Sequence, residues 1–409
     1  MQGERDEFGV VELAQRLVAI PSVTGGEGSL AAFLAGWLEA AGLRVELQEA
    51  APGRPNLLAV LPSSSANADE PLGLLFHAHT DTVAAYGQPE PFSGCVQEGC
   101  LWGRGSVDQK GGLAAAAAAL AAYARRGQAP KAAVGLAAVI DEESEHRGSM
   151  ALVRSGIRAR RAVVTEPSGL KVVVGCKGTV PFRIRVHGKT AHGSRPWLGV
   201  NAVEKAIRVA QALMSLPCPE AEVPGLGAVR GSTNLGVMRG GVAYNIVPDQ
   251  CEVWFDRRTV PGETQAGVLV HVQALLREMS AQDADLRAEV DIARPDWNWE
   301  PIARRGLNPT LAPAGSGLPE WVGAQHARVA QQPAQYAFTD GYNEMDFLVN
   351  DLGIPTVQYG PGDSRLCHTD EEKLDVAQLL ACTLVYVKLV EHAMDPVGNT
   401  ITLAKGSRG

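Results

Sequence analysis

The sequence has no long apolar run. Its 409 residues are 45% hydrophobic, yet nowhere do about 18 apolar residues follow one another uninterrupted, as a membrane-spanning helix requires. The first residues offer no apolar leader either. Met1 to Phe8 is mostly polar or charged, and Glu12, Gln15 and Arg16 interrupt the apolar residues after Gly9, so no secretory signal is expected. An excess of positive charge is also missing. The 37 Lys and Arg against 45 Asp and Glu leave a net charge of −8 and a pI near 5.7, which argues against a basic nucleic-acid footprint. Cysteine is sparse: Cys95, Cys100, Cys176, Cys218, Cys251, Cys367 and Cys382 are odd in number, scattered, and never spaced as CxxC. Neither a zinc ribbon nor a disulfide framework is indicated, and a reducing cytoplasm is the expected compartment. With 45% hydrophobic and 20% charged residues, the composition argues against wholesale disorder as well. The length predicts two to three domains.

What is present is an alternation of helix and strand signals. Helices are expected over 10–20, stopping at Pro21, and over 29–41, stopping at Gly42. Val45 and Leu47 alternate with polar residues as in a half-exposed strand. Asn56–Leu61, Gly73–His79, Ala132–Ile140 and Ala162–Thr165 read as buried strands, and the alanine-rich run Leu113–Ala124 as a helix. The pattern changes after Lys177. A strand at Val180–Val186, a helix at Asn201–Leu216, strands at Leu235–Val237 and Cys251–Asp256 and a helix at Ala266–Met279 approach a β-α-β-β-α-β order. A strand at Ile354–Tyr359 and a helix at Val376–Met394 return to the first pattern. The expected fold is therefore an α/β domain over 1–176 and 290–409, interrupted by an inserted α+β unit over 177–289.

Residues able to carry chemistry cluster at the ends of the predicted strands. In His77-Ala78-His79-Thr80-Asp81 the alternation of a strand puts His77, His79 and Asp81 on one face. A carboxylate two residues beyond a histidine can fix the ring of a metal ligand, although two histidines satisfied by local hydrogen bonds would look the same. Gly103 to Gly112 surrounds Asp108 with four glycines before a helix, which suits a carboxylate ligand better than a phosphate loop. The Walker pattern fails: Gly188-Lys189-Thr190 has its ending, but Arg183 stands where its first glycine belongs. Asp141-Glu142-Glu143 and Thr165-Glu166-Pro167 each follow an apolar strand, where α/β sheets place their ligands. His368 follows the glycine-rich Tyr359-Gly360-Pro361-Gly362. Glu143 and His146 form a lone ExxH, so a di-iron bundle is unsupported. There is no GxSxG and no HExxH. Imidazole and carboxylate ligands suit Zn²⁺, Co²⁺ or Mn²⁺, and five of them with one shared carboxylate would suffice for a two-metal hydrolytic site.

These motifs, in this order along the whole chain, resemble the M20 metallopeptidase family, which includes acetylornithine deacetylase, succinyl-diaminopimelate desuccinylase, aminoacylase and glutamate carboxypeptidase. The resemblance implies a dimetal catalytic domain, with 177–289 as a ferredoxin-like lid and dimerisation domain. It implies that His79 and Glu166 bind one metal ion, Glu143 and His368 the other, and that Asp108 bridges both, its own peptide bond to Gln109 often being cis in such enzymes. Asp81 would orient His79, and Glu142 would be the general base. His192, in His187-Gly188-Lys189-Thr190-Ala191-His192-Gly193, would stabilise the oxyanion in a partner subunit's site. Asn245 and Arg258 would hold the substrate, the guanidinium favouring a free α-carboxylate, with Arg257 the neighbouring alternative. The implied activity is removal of an acyl group from an N-acyl-L-amino acid by a cytoplasmic homodimer carrying two divalent ions, zinc foremost with cobalt or manganese as alternatives. A dipeptidase or carboxypeptidase is the other reading. Neither nucleic acid nor membrane is an expected partner. The segment Tyr342-Asn343-Glu344 departs from many family deacylases and could shape a specificity pocket, with Glu344 either facing a basic substrate side chain or lying on the surface. Trp297 and Trp299 are expected to pack at the domain junction.

Overall fold

Short apolar strands with helices between them assemble into a nine-stranded mixed sheet. The computed structural model describes residues 6–64, 70–127, 129–293 and 300–393. The expected contacts of Trp297 and Trp299 fall outside those residues. Four central strands run parallel, in the order Val134–Val139, Leu74–His79, Ala162–Val164 and Thr356–Gln358. The hairpin Arg44–Ala51 and Arg54–Leu61 adds antiparallel strands at one edge. Each central strand is a near-continuous run of buried residues, as a sheet covered on both faces requires. Parallel strands share one direction, so their C-terminal ends open at one edge, and there the four candidate ligand loops begin.

One covering helix explains the alanine run. Gly111–Arg125 is buried at every residue from Gly111 to Ala121, and it packs against the C-terminal helix Val376–Glu391 and the first helix Val10–Ala19. A helix apolar on all sides belongs inside the protein, and alanines let its neighbours come close. The expected 113–124 and 376–394 helices are thus observed with small shifts at their ends, Met394 lying outside the described residues. The helix Leu318–Ala330 had no counterpart in the sequence pattern.

The chain divides into two compact units. One comprises Met1–Gly175, Leu311–Phe338 and Asn343–Gly409; the other comprises Cys176–Thr310 and Thr339–Tyr342. The second unit is built on a four-stranded antiparallel sheet. In spatial order its strands are Ser232–Gly240, Gln250–Thr259, Gly178–His187 and Arg287–Ile292. Helices Ala202–Met214 and Gln265–Gln282 pack into its core through Ala206, Val209, Val268 and Val272. Asn201 and Thr264 cap their N-termini, accepting from Val203 and Glu204, and from Gly267. The chain order β-α-β-β-α-β and this strand order make it ferredoxin-like.

Candidate metal centre and active site

His79 ends the strand Leu74–His79, and its side chain is fully buried at the base of the centre. Its Nε2 lies 3.1 Å from Asp108 Oδ1 and 3.4 Å from Glu166 Oε1. The other oxygen of Asp108 faces a second imidazole: Oδ2 is 3.3 Å from His368 Nε2, which stands 3.0 Å from Glu143 Oε1. One carboxylate therefore faces both histidines, one oxygen to each. Ligand atoms of His79, Asp108 and Glu143 lie within 4.8 Å of one another. The set grades outward, from buried His79 to His368 with its side chain 48% exposed, so the centre opens to solvent on the His368 side. The peptide bond Asp108–Gln109 is cis.

The electrostatics ask for cations. Burial pushes the Glu166 carboxyl up to about 7, helped by the neighbouring charge of Asp108. Burial likewise raises Glu143, and raises Glu142 well above its ordinary value. Hydrogen bonds to Asp108 and Glu143 lift His368 to about 10. Burial opposes a charge on His79, but Asp108, Asp81 and Glu166 outweigh it and raise that ring too. Without a cation the carboxylates retain protons or draw them onto the imidazoles. Divalent ions would let all of them ionise, so the three carboxylates and two imidazoles fit a pair of such ions.

Asp81 does more than face His79. The nearest acceptor to His79 Nδ1 is the main-chain carbonyl of Asp81 at 2.9 Å, with the carboxylate at 3.5 Å. That carboxylate is fully buried. It accepts from Thr24 Oγ1 at 2.8 Å and from the main-chain N–H groups of Glu142 and Glu143, each at 3.1 Å. Burial pushes its pKa up, but the neighbouring His79 ring, with the bonds from Thr24 and the Glu142 N–H, outweighs that and holds it below the ordinary range. Asp81 thus pins the loop that carries Glu142 and Glu143 to the strand that carries His79.

Several positioning residues were not visible in the sequence. Gln109 donates to Glu166 Oε1 at 2.5 Å and accepts from Thr165 Oγ1 at 2.5 Å. Glu372, fully buried, accepts from the main-chain N–H groups of Val107 and Asp108 at 3.0 and 3.1 Å and pairs with Arg104 at 2.6 Å. Asp141 is held by Arg54 at 2.6 Å, and the same guanidinium takes Glu27 through two bonds. Asp141 is therefore structural, whereas its neighbours Glu142 and Glu143 are not engaged by Arg54. Glycines allow the close packing here: a Cβ on Gly112 would lie 2.2 Å from the Thr165 carbonyl, and one on Gly360 would lie 2.4 Å from the carbonyls of both Thr165 and Glu166.

Glu344 and Asn343 are neither on the surface nor in an open pocket. They are 1% and 3% exposed and bonded to His146 and Gln358, so the expectation of a surface or substrate-facing Glu344 is corrected. Long-range packing, not local polarity, decides their place.

In the second unit, His192 and Asn245 are brought together and exposed. Gly193 N–H donates to the Asn245 carbonyl at 2.8 Å, and His192 bridges to Ile246. The Nδ1 of His192 is engaged by Ser194 Oγ at 2.8 Å. Arg257 is buried and paired with Glu263 at 2.7 Å, whereas Arg258 has a side chain 34% exposed and touches Asp256.

A family model described as Peptidase family M20/M25/M40 matches residues 75–392. The chain belongs to this family. It is similar to a probable carboxypeptidase of Aspergillus clavatus, with 33% identity over 392 residues covering 92% of this chain and 87% of that protein. It is also similar to an acetylornithine deacetylase of Myxococcus xanthus, with 29% identity over 366 residues covering 87% and 89%. Among solved structures it resembles a Bacillus subtilis protein described as a dinuclear metal binding peptidase of the M20 family. That likeness has a TM-score of 0.70 at 16% identity and covers 95% of this chain and 98% of the other. This M20 protein is thus a metallopeptidase-type enzyme that hydrolyses amide bonds, on a mixed α/β sheet flanked by helices. Among its described residues no helix is long and apolar enough to cross a membrane.

Proposed function

We propose that this M20 enzyme removes the acyl group from an N-acyl-L-amino acid in the cytoplasm, acting as a homodimer. The observation that carries the hydrolytic reading is the single carboxylate, Asp108, facing His79 and His368 through different oxygens, with Glu166 and Glu143 beside them. We assign His79 and Glu166 to one divalent ion, Glu143 and His368 to a second, and Asp108 to both. When bound, such ions, zinc foremost with cobalt or manganese as alternatives, acidify water and polarise a carbonyl. Glu142 then takes the proton of the attacking water as its oxygen bonds to the amide carbon. The same carboxylic acid returns that proton to the amide nitrogen as the C–N bond breaks, and the proton left on the new carboxyl group passes on to the amine, giving a carboxylate and an ammonium group. A residue in this role needs a carboxyl whose charge burial disfavours, and Glu142 has one.

The substrate assignment rests on the second unit, read as the lid and dimerisation domain. Arg258, more accessible than Arg257, suits a substrate carboxylate, with Asn245 beside it in role. With its Nδ1 taken by Ser194, the exposed imidazole of His192 keeps its Nε2 for the partner's site, where it would donate to the oxyanion. Support for a second copy comes from apolar residues in the same unit: Trp197, Leu198, Val242 and Tyr244 are all exposed, Tyr244 completely, and burying such side chains against a partner would be favourable. A dipeptidase or carboxypeptidase activity is the second reading, favoured by the likeness to the Aspergillus protein. The test is a turnover panel on metal-reconstituted protein, with N-acetyl, N-succinyl and N-formyl amino acids set against free dipeptides, with and without chelator. Chelator-sensitive release from acylated substrates alone supports the proposal; cleavage of free dipeptides replaces it with the second reading.

A further inference from the structure

Glu344 is a fully buried carboxylate with no part in the hydrolytic scheme. Its Oε1 accepts from His146 Nδ1 at 3.1 Å, and its Oε2 lies 3.6 Å from His77 Nε2. His77 in turn contacts Ser149 Oγ at 3.1 Å, on the helix Arg147–Ser155. Burying a charge is costly unless it is paired, and losing one partner of such a pair costs more than the pair contributes.

His146 stands where the acidic loop ends. Its N–H donates to the Asp141 carbonyl at 2.7 Å, its φ is +54°, and the helix begins at the next residue. Its ring packs on Phe347, with centroids 5.6 Å apart. The loop from Asp141 to His146 carries Glu142 and Glu143. It is held at its start by Arg54 and Asp81 and at its end by Glu344.

Asn343 reaches the other way. Its Nδ2 donates to Gln358 Oε1 at 2.6 Å, and Gln358 Nε2 donates to the Pro167 carbonyl at 2.9 Å, one residue past Glu166. The Asn343 Oδ1 accepts from Met345 N–H at 3.0 Å, which fixes the side chain that makes this link. Two consecutive buried residues therefore reach the two loops that carry Glu142, Glu143 and Glu166.

We propose that Asn343 and Glu344 form a brace that sets the spacing of the acidic groups, Glu344 acting on Glu142 and Glu143 through His146, and Asn343 acting on Glu166 through Gln358. Both are positioning residues, and the proposal rests on the roles assigned above to the three glutamates. The test measures Zn²⁺ affinity of the metal-free protein by competition with a chromogenic chelator, alongside kcat, KM and Tm. Outer partners of metal ligands typically contribute about 10–100-fold in affinity or activity. Glu344→Leu should weaken Zn²⁺ binding by that factor and lower kcat with KM within about threefold. Glu344→Gln keeps an oxygen for His146 and should recover most of the loss. His146→Phe keeps the packing on Phe347 without the hydrogen bond and should reproduce it, which decides the matter if Glu344→Leu does not fold. Wild-type affinity in the folded leucine variant, or in His146→Phe, overturns the brace. Equal losses in the leucine and glutamine variants, tracking Tm alone, overturn it as well. Affinity is read without substrate, so these results are separable from failure of the hydrolytic reading, which would show as normal turnover in Glu142→Ala.

Discussion

Replacing Asp81 with asparagine tests how the acidic loop is held. The change keeps the shape of the side chain and the main-chain carbonyl that faces His79. It leaves one acceptor oxygen where there were two. Thr24 can rotate its hydroxyl to accept from the new amide, but the N–H groups of Glu142 and Glu143, each 3.1 Å from a different carboxylate oxygen, are fixed by the chain. One of them must face an NH₂ group. A buried unsatisfied donor costs about 1–3 kcal/mol, and bonds to a charged acceptor lie at the upper end. If about 2.7 kcal/mol is relieved by letting the loop move, Glu142 leaves its working position and kcat falls by about 100-fold, at 1.36 kcal/mol per decade. Thr24→Val removes only the rotatable donor and should cost tenfold at most. The assay is kcat and KM on the best substrate of the acyl-amino-acid panel, with Tm recorded for each variant. An Asp81→Asn enzyme with wild-type Tm and kcat within threefold would refute the reasoning, because the two N–H contacts would then carry no positional load.

Much of the centre was legible because each candidate ligand lies at the end of a local pattern. His79 ends an apolar strand and Glu143 and Glu166 each follow one, and the observed strands are parallel, so one rule of chain direction gathers them. What supports these candidate ligands was hidden. Glu372 meets Val107 and Asp108 across some 265 positions of chain, and Glu344 meets His146 across 198. No periodicity marks such pairs. Asp141, Glu142 and Glu143 look alike in sequence, yet Arg54 takes only the first, which adopts a φ of +71° at the turn. The strand expected at Leu235–Val237 runs from Ser232 to Gly240, because polar Ser, Thr and Asn on a mostly exposed edge dilute the apolar alternation. The helix Leu318–Ala330 was hidden by the proline at its second residue and the glycine before it, which read as a loop although both are compatible with a helix start.

The remaining predictions concern the base, the packing and the metal. Glu142→Ala should abolish measurable turnover while metal content by atomic emission stays near that of the wild type; loss of metal would make Glu142 a ligand instead. Gly112→Ala should lower Tm by several degrees or prevent folding, since the new methyl would sit 2.2 Å from the Thr165 carbonyl; an unchanged Tm would show that the helix shifts freely. The third prediction concerns pH. In the metal-free protein Glu166 is raised to about 7 and His368 to about 10, and both must lose their protons before a cation binds. Metal affinity should therefore rise with pH, by up to roughly two decades per unit below about 7 and roughly one above it. Stability of the metal-free protein has the opposite slope. A raised pKa means that the folded state holds its proton longer, so the contribution of Glu166 is lost as pH rises between about 4.5 and 7, and that of His368 between about 6.5 and 10. The metal-bound protein escapes both losses, because its ligands are already deprotonated and paired with positive charge. The Tm difference between metal-loaded and metal-free protein should thus widen from pH 6 to pH 8 at fixed free metal. A difference that stays constant or narrows would mean that these two side chains do not bind the metal, whatever the activity of the enzyme.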